Sequence, residues 1–153
     1  MANSTTRTVE VAVDPGEALF DAADEHGHHV HMDLGGKIGR PNGRAVAARD
    51  LLLMALAGCS GASFVAELRR RGKVPRALHV TVTGAPATTR PAVFRAIAMH
   101  LAVSGDDLDE ESLTAAAHAC HGDCSVHATL SHVADITTTY EVVGAPLPTG
   151  GRS

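Results

Sequence analysis

The stretch that most constrains this chain runs from Asp50 to Arg71. It contains no proline, and Leu51-Leu52-Leu53-Met54-Ala55-Leu56-Ala57 is apolar at every position. A helix without a polar face has to be packed on several sides, so the expectation is a long buried central helix with the rest of the chain built around it. Gly58 and Gly61 flank Cys59 within it. Each glycine costs about 1 kcal/mol against alanine in an exposed helix interior, so the pair predicts close approach of another element. The chain has three Phe, one Tyr and no Trp to cover such a helix. A second copy, most simply related by a two-fold axis, would supply the missing cover.

Around this helix the periodicity is that of strands. Thr8 to Val13 alternates, with Val9, Val11 and Val13 on one face. Asp14-Pro15-Gly16 is a turn signal, Ala18 to Ala22 returns as a second arm, and His29 to Met32 reads as a third strand. Gly35 to Arg44 carries four glycines and a proline and reads as a loop. After the helix, Leu78, Val80 and Val82 alternate with polar residues, as do Ile97, Met99, Leu101 and Val103 with Ala98, His100 and Ala102. A helix start is expected at Asp107 to Glu110 in capping-box fashion. That helix breaks at His121-Gly122-Asp123, Asp123 caps another beginning at Cys124, and Ile136 to Val143 is a last strand. Runs of strands separated by helices give an α+β class and not an alternating α/β design. One domain over residues 1–153 is expected, with 1–6 and 144–153 as disordered tails.

A formal charge of −4 gives no electrostatic reason to bind nucleic acid. Arg69-Arg70-Arg71 closes the helix, where cations favour the macrodipole. No apolar run approaches the ~20 residues that span a bilayer, and Met1 to Thr6 lacks the apolar core of a signal peptide, so a cytoplasmic protein is expected. Three cysteines are odd in number and too few for a disulfide framework; in a reducing compartment they are catalytic, metal-binding or inert core.

Cys59 on an apolar helix can be a small hydrophobe, but the glycines beside it leave room for the sulfur to react. Cys124, at a helix start, would have its pKa lowered by unpaired N–H groups, with Ser125 and His127 nearby. Cys120 reads as core. His118, Cys120, His121, Cys124 and His127 suit zinc as ligand types, although Cys-x3-Cys fits no common zinc pattern. A second histidine cluster comprises His26, His28, His29 and His31.

Asp50 to Ser60, an acid, an aliphatic run, two small residues and a cysteine, resembles the central-helix signature of the OsmC/Ohr family. Cys124-Ser125-Val126-His127 resembles that family's second signature. The resemblance implies an OsmC-like fold: antiparallel sheets around the central helix, in an intertwined homodimer with its thiol sites at the subunit interface. It also implies a thiol-dependent peroxidase acting on organic hydroperoxides, with hydrogen peroxide a further candidate substrate. Cys59 would become a sulfenic acid, Cys124 would resolve it as a Cys59–Cys124 disulfide, and a dithiol such as a lipoyl group would restore both thiols. No cofactor or metal is implied. In the hydroperoxide branch a Glu stands ten residues before the first cysteine and an Arg in the first hairpin. Here Arg49 holds the first position, Asp50 follows it, and Val13 to Leu19 has no arginine. Arg40, Arg44 or Arg49 could supply the cation, and Asp50 could instead cap the helix. Two other readings stand beside this one: a catalytically silent small-ligand-binding or redox-sensing protein, and a Cys/His zinc protein.

Overall fold

The computed structural model describes residues 6–34 and 43–144. Residues 1–5 and 145–153 of the expected tails and 35–42 of the expected loop lie outside the described residues. The chain divides into two compact units, Met1–Leu52 and Leu53–Ser153.

The first unit is an antiparallel meander of β1 (Val9–Asp14), β2 (Leu19–Asp24) and β3 (His29–Asp33). Asp14 Oδ1 accepts from the Gly16 and Glu17 N–H groups at 3.0 and 3.1 Å and closes the first turn. Asp24 Oδ1 does the same for the His26 and His28 N–H groups, at 2.8 and 2.9 Å. Gly27, at φ +81°, takes the left-handed position in that second turn. Residues directly opposite in a ladder share a face. The register Val11–Ala22–Val30 and Val13–Phe20–Met32 therefore makes one face apolar. Val9, Val11 and Val13 on it are 67%, 47% and 51% exposed. The opposite face carries Asp21, whose Oδ1 lies 3.0 Å from His29 Nδ1 and 3.4 Å from His31 Nδ1.

The long helix is α1 (Ala48–Arg70), which begins in the first unit and runs through the second. The second unit continues with β4 (Ala77–Pro86), β5 (Phe94–Ser104), α2 (Glu110–Gly122), α3 (Ser125–Leu130) and β6 (Asp135–Val142). Leu56, Ser60, Gly61, Phe64, Glu67 and Leu68 form the buried stripe of α1. Phe64 and Leu68 pack with Met99, Leu101 and Val103 of β5 and with Leu113, Ala116 and Cys120 of α2. Each large apolar side chain buried this way contributes about 1.5–3 kcal/mol.

The structure corrects several expectations. Within one chain α1 is buried along one stripe, with Leu52 and Met54 exposed, not on all sides. It is also long and apolar enough, by length and composition, to cross a bilayer, contrary to the expectation that no stretch reaches that size. Of the two glycines, only Gly61 marks a close approach: a Cβ there would meet Val80 at 3.3 Å, whereas Gly58 faces open space. The second sheet is mixed, with order β4-β5-β6, β4 antiparallel to β5 and β6 parallel to β5. The α2–α3 excursion between β5 and β6 returns the chain to the starting end of β5, as a parallel pairing requires. The cap of α2 is Asp109, whose Oδ1 accepts from the Ser112 N–H at 2.8 Å, and Asp107 instead takes φ +57°.

Candidate functional site

Two elements of the second unit bring the thiols together. Cys59 lies midway along α1, next to Gly58, and is partly exposed. Cys124 is the N-cap of α3, a role expected of Asp123; its Sγ accepts from the His127 N–H at 3.3 Å. A polar side-chain acceptor at this position satisfies one of the first N–H groups of a helix, and here a sulfur takes that part. Cys124 is 1% exposed. The two thiols are within hydrogen-bonding reach of each other.

Their acidities differ in the opposite sense from expectation. Burial acts to raise the Cys59 thiol. Hydrogen bonds from Cys124, from the Val126 N–H, and from the hydroxyl and N–H of Ser125 outweigh it, and hold Cys59 below the ordinary cysteine value. Cys124 is raised, first by burial and then because the shared hydrogen bond and charge favour a Cys59 thiolate; the Ser60 hydroxyl and the His127 N–H only partly offset this. Of the N–H groups that begin α3, those of Ser125 and Val126 thus act on Cys59, and that of His127 acts on the cysteine that caps the helix. Cys120 is fully buried, and burial together with the Cys124 charge pushes it up to about 12. Its Sγ donates to the Ser60 carbonyl at 3.4 Å.

The remaining expected residues are spread out. His127 is buried, its Nε2 is unpaired, and its ring lies 4.5 Å from that of His121; burial and His121 lower its pKa. Asp50 stands in the first turn of α1, exposed; the helix begins at Ala48, so Asp50 is inside it and does not cap it. Arg49 is exposed beside it. Arg44 pairs with Glu17 Oε2 at 2.5 Å, and its N–H donates to Asp33 Oδ2 at 2.8 Å. Arg40 lies outside the described residues. Among the described residues no group of three or more His, Cys, Asp and Glu is arranged to hold a metal. The first unit has a cavity of about 540 Å³, with Leu19, Phe20, Met32, Asp21, His31 and Arg44 in its lining. Sequence reasoning missed Ser60; its one signal is its place directly after Cys59.

A sequence model of the OsmC-like protein family matches residues 41–139. Protein YhfA of Escherichia coli K12 is 30% identical over 120 residues, spanning 78% of this chain and 86% of that protein. The fold is similar to that of an OsmC-like protein from Mycoplasma pneumoniae, with a TM-score of 0.78 at 17% identity, covering 92% of this chain and 99% of that one. It is also similar to an organic hydroperoxide resistance protein from Elizabethkingia anophelis, with a TM-score of 0.72 at 12% identity, covering 94% and 100%. With both signatures inside or beside the matched span, the chain belongs to the family of OsmC-like proteins.

Proposed function

We propose that this protein is a thiol-dependent peroxidase that reduces organic hydroperoxides through Cys59 and Cys124. A thiol-based redox role in general follows from the family. The observation that supports the specific chemistry is a partly exposed thiol held below the ordinary cysteine pKa beside a buried one that is raised. The thiolate is the nucleophile. Cys59 Sγ attacks the outer peroxide oxygen, the O–O bond breaks, and the alcohol leaves after taking a proton. The resulting sulfenic acid condenses with Cys124 to a disulfide and water. A dithiol then supplies two electrons and two protons, is itself oxidised to a disulfide, and restores both thiols.

Reduced protein should consume cumene hydroperoxide in the presence of dithiothreitol, and Cys59→Ser should abolish turnover while the circular-dichroism spectrum stays native. Peptide mapping after one equivalent of peroxide should find Cys59 linked to Cys124 and Cys120 free. Full activity in Cys59→Ser would remove Cys59 from its role. A dominant Cys120–Cys124 link would undo the resolving assignment.

The assembly belongs to the same proposal. The apolar face of the first sheet and the exposed side of α1 are covered by a second copy, as an intertwined homodimer. Light scattering at micromolar concentration should give twice the chain mass. A second reading, small-ligand binding without turnover, draws on the cavity of the first unit. It takes precedence if no hydroperoxide is consumed with any dithiol.

A further inference from the structure

Ser60 is fully buried, and its Oγ has no hydrogen-bond partner of normal geometry among the described residues. A serine inside a helix ordinarily bonds back to the carbonyl four residues earlier. Ser63, one turn on, does so, donating to the Cys59 carbonyl at 3.2 Å. Ser60 does not, although leaving a buried hydroxyl unmade is unfavourable. A buried donor kept open in this way calls for an explanation in function. What lies beside it is Cys124, and its own carbonyl accepts from Cys120. The Ser60 hydroxyl favours the Cys124 thiolate, the charged form that makes the stronger acceptor.

We propose that Ser60 is a positioning residue for the reductive half of the cycle: its hydroxyl receives the Cys124 sulfur as leaving group when a dithiol opens the Cys59–Cys124 disulfide at Cys59. The inference rests on the thiol-pair reading above, and it adds the direction of attack. Cys59 is the partly exposed cysteine and Cys124 the buried one, so an external thiolate reaches Cys59. The first reductant thiolate bonds to Cys59 Sγ, the protein S–S bond breaks, and its electron pair leaves on Cys124. There the Ser60 O–H and the His127 N–H donate to it until it takes the proton lost by the reductant. The second reductant thiol then attacks the reductant's own sulfur in the mixed disulfide. It closes the reductant's ring, and Cys59 departs with the remaining proton. A better-stabilised leaving thiolate departs faster.

The test needs no peroxidase turnover. Diamide oxidises the parent and Ser60→Ala proteins to the Cys59–Cys124 disulfide, and stopped flow follows its reduction by dithiothreitol. Ser60→Ala should be reduced about tenfold more slowly, the scale of one hydrogen bond to a charged group expressed partway along the reaction. Its melting temperature in the reduced state should be equal or higher, since an orphaned buried hydroxyl is gone; a purely structural serine would show the reverse pair of changes. With 2-mercaptoethanol and acid quench, the mixed disulfide should map to Cys59. Reduction rates within twofold of each other, a mixed disulfide on Cys124, or failure of diamide to form the disulfide would each overturn the proposal. Hydroperoxide consumption, measured separately on the parent, tests the peroxidase reading alone. A disulfide that opens as described in a protein without turnover would leave this inference standing and remove that one.

Discussion

β1 and β5 carry the same alternation of apolar and other residues and meet opposite fates. Val9, Val11 and Val13 are about half exposed or more, the least of them 47%, whereas Ile97, Met99, Leu101 and Val103 are all within 1% of complete burial. The difference lies not in the strands but in what packs on them. β5 has Leu56, Phe64, Leu68, Leu113 and Leu130 against its apolar side, and within one chain the valine face of β1 stays open to solvent. Period-2 alternation records that a face is meant to be covered and leaves unstated which chain covers it.

Leu101→Ala should produce the largest effect, a loss of about 2–5 kcal/mol in urea unfolding, because a closed core relaxes poorly around a cavity. Val11→Ala sharpens the contrast. If a second copy covers the valine face, the cost is about 1–2 kcal/mol of lost burial and appears as a concentration-dependent midpoint. If it unfolds at the parent's midpoint at every concentration, β1 stays open in solution and the comparison holds for the whole protein. The smallest effect concerns charge. The Arg71 and Arg70 guanidiniums hold the Glu67 carboxyl below its ordinary value of 4.5. A depressed folded pKa stabilises above the unfolded value and is lost as pH falls through the folded one. Glu67→Gln should therefore flatten the fall in melting temperature below pH 4.5, with little change in that slope from pH 6 to 8. An unchanged acid limb would mean that other carboxylates, such as the His-paired Asp21 and Asp24 of the first sheet, dominate it.

Most of the scaffold was legible in the sequence because helix and strand periods differ. The long helix and all six strands fall within three residues of the expected ends. The parallel pairing of β6 was not legible, since alternation looks the same in either direction. Both helix starts were misread by a residue or two: Asp109 and not Asp107 caps α2, and the thiol of Cys124 did what Asp123 was expected to do. The cysteine pair was legible, but the order of its acidities was not. That order depends on where the Ser125 and Val126 N–H groups point, which only the turn from α2 into α3 decides. Ser60 carried no signal beyond adjacency, because an open hydrogen-bond donor is a property of surroundings.

The parallel pairing of β5 and β6 also sets a timetable. Cys59 is synthesised sixty-five positions before Cys124, which is ~3–13 s at ~5–20 residues per second. Cys124 is followed by β6, and Ala96 of β5 pairs with Asp135 of β6, so the loop bearing α2 and α3 closes only when the last strand has been made. Until then Cys59 lacks Cys124, Ser125 and Val126, the groups that hold its thiol below the ordinary cysteine value. The lowered pKa of Cys59 thus arrives together with the residue positioned beside it.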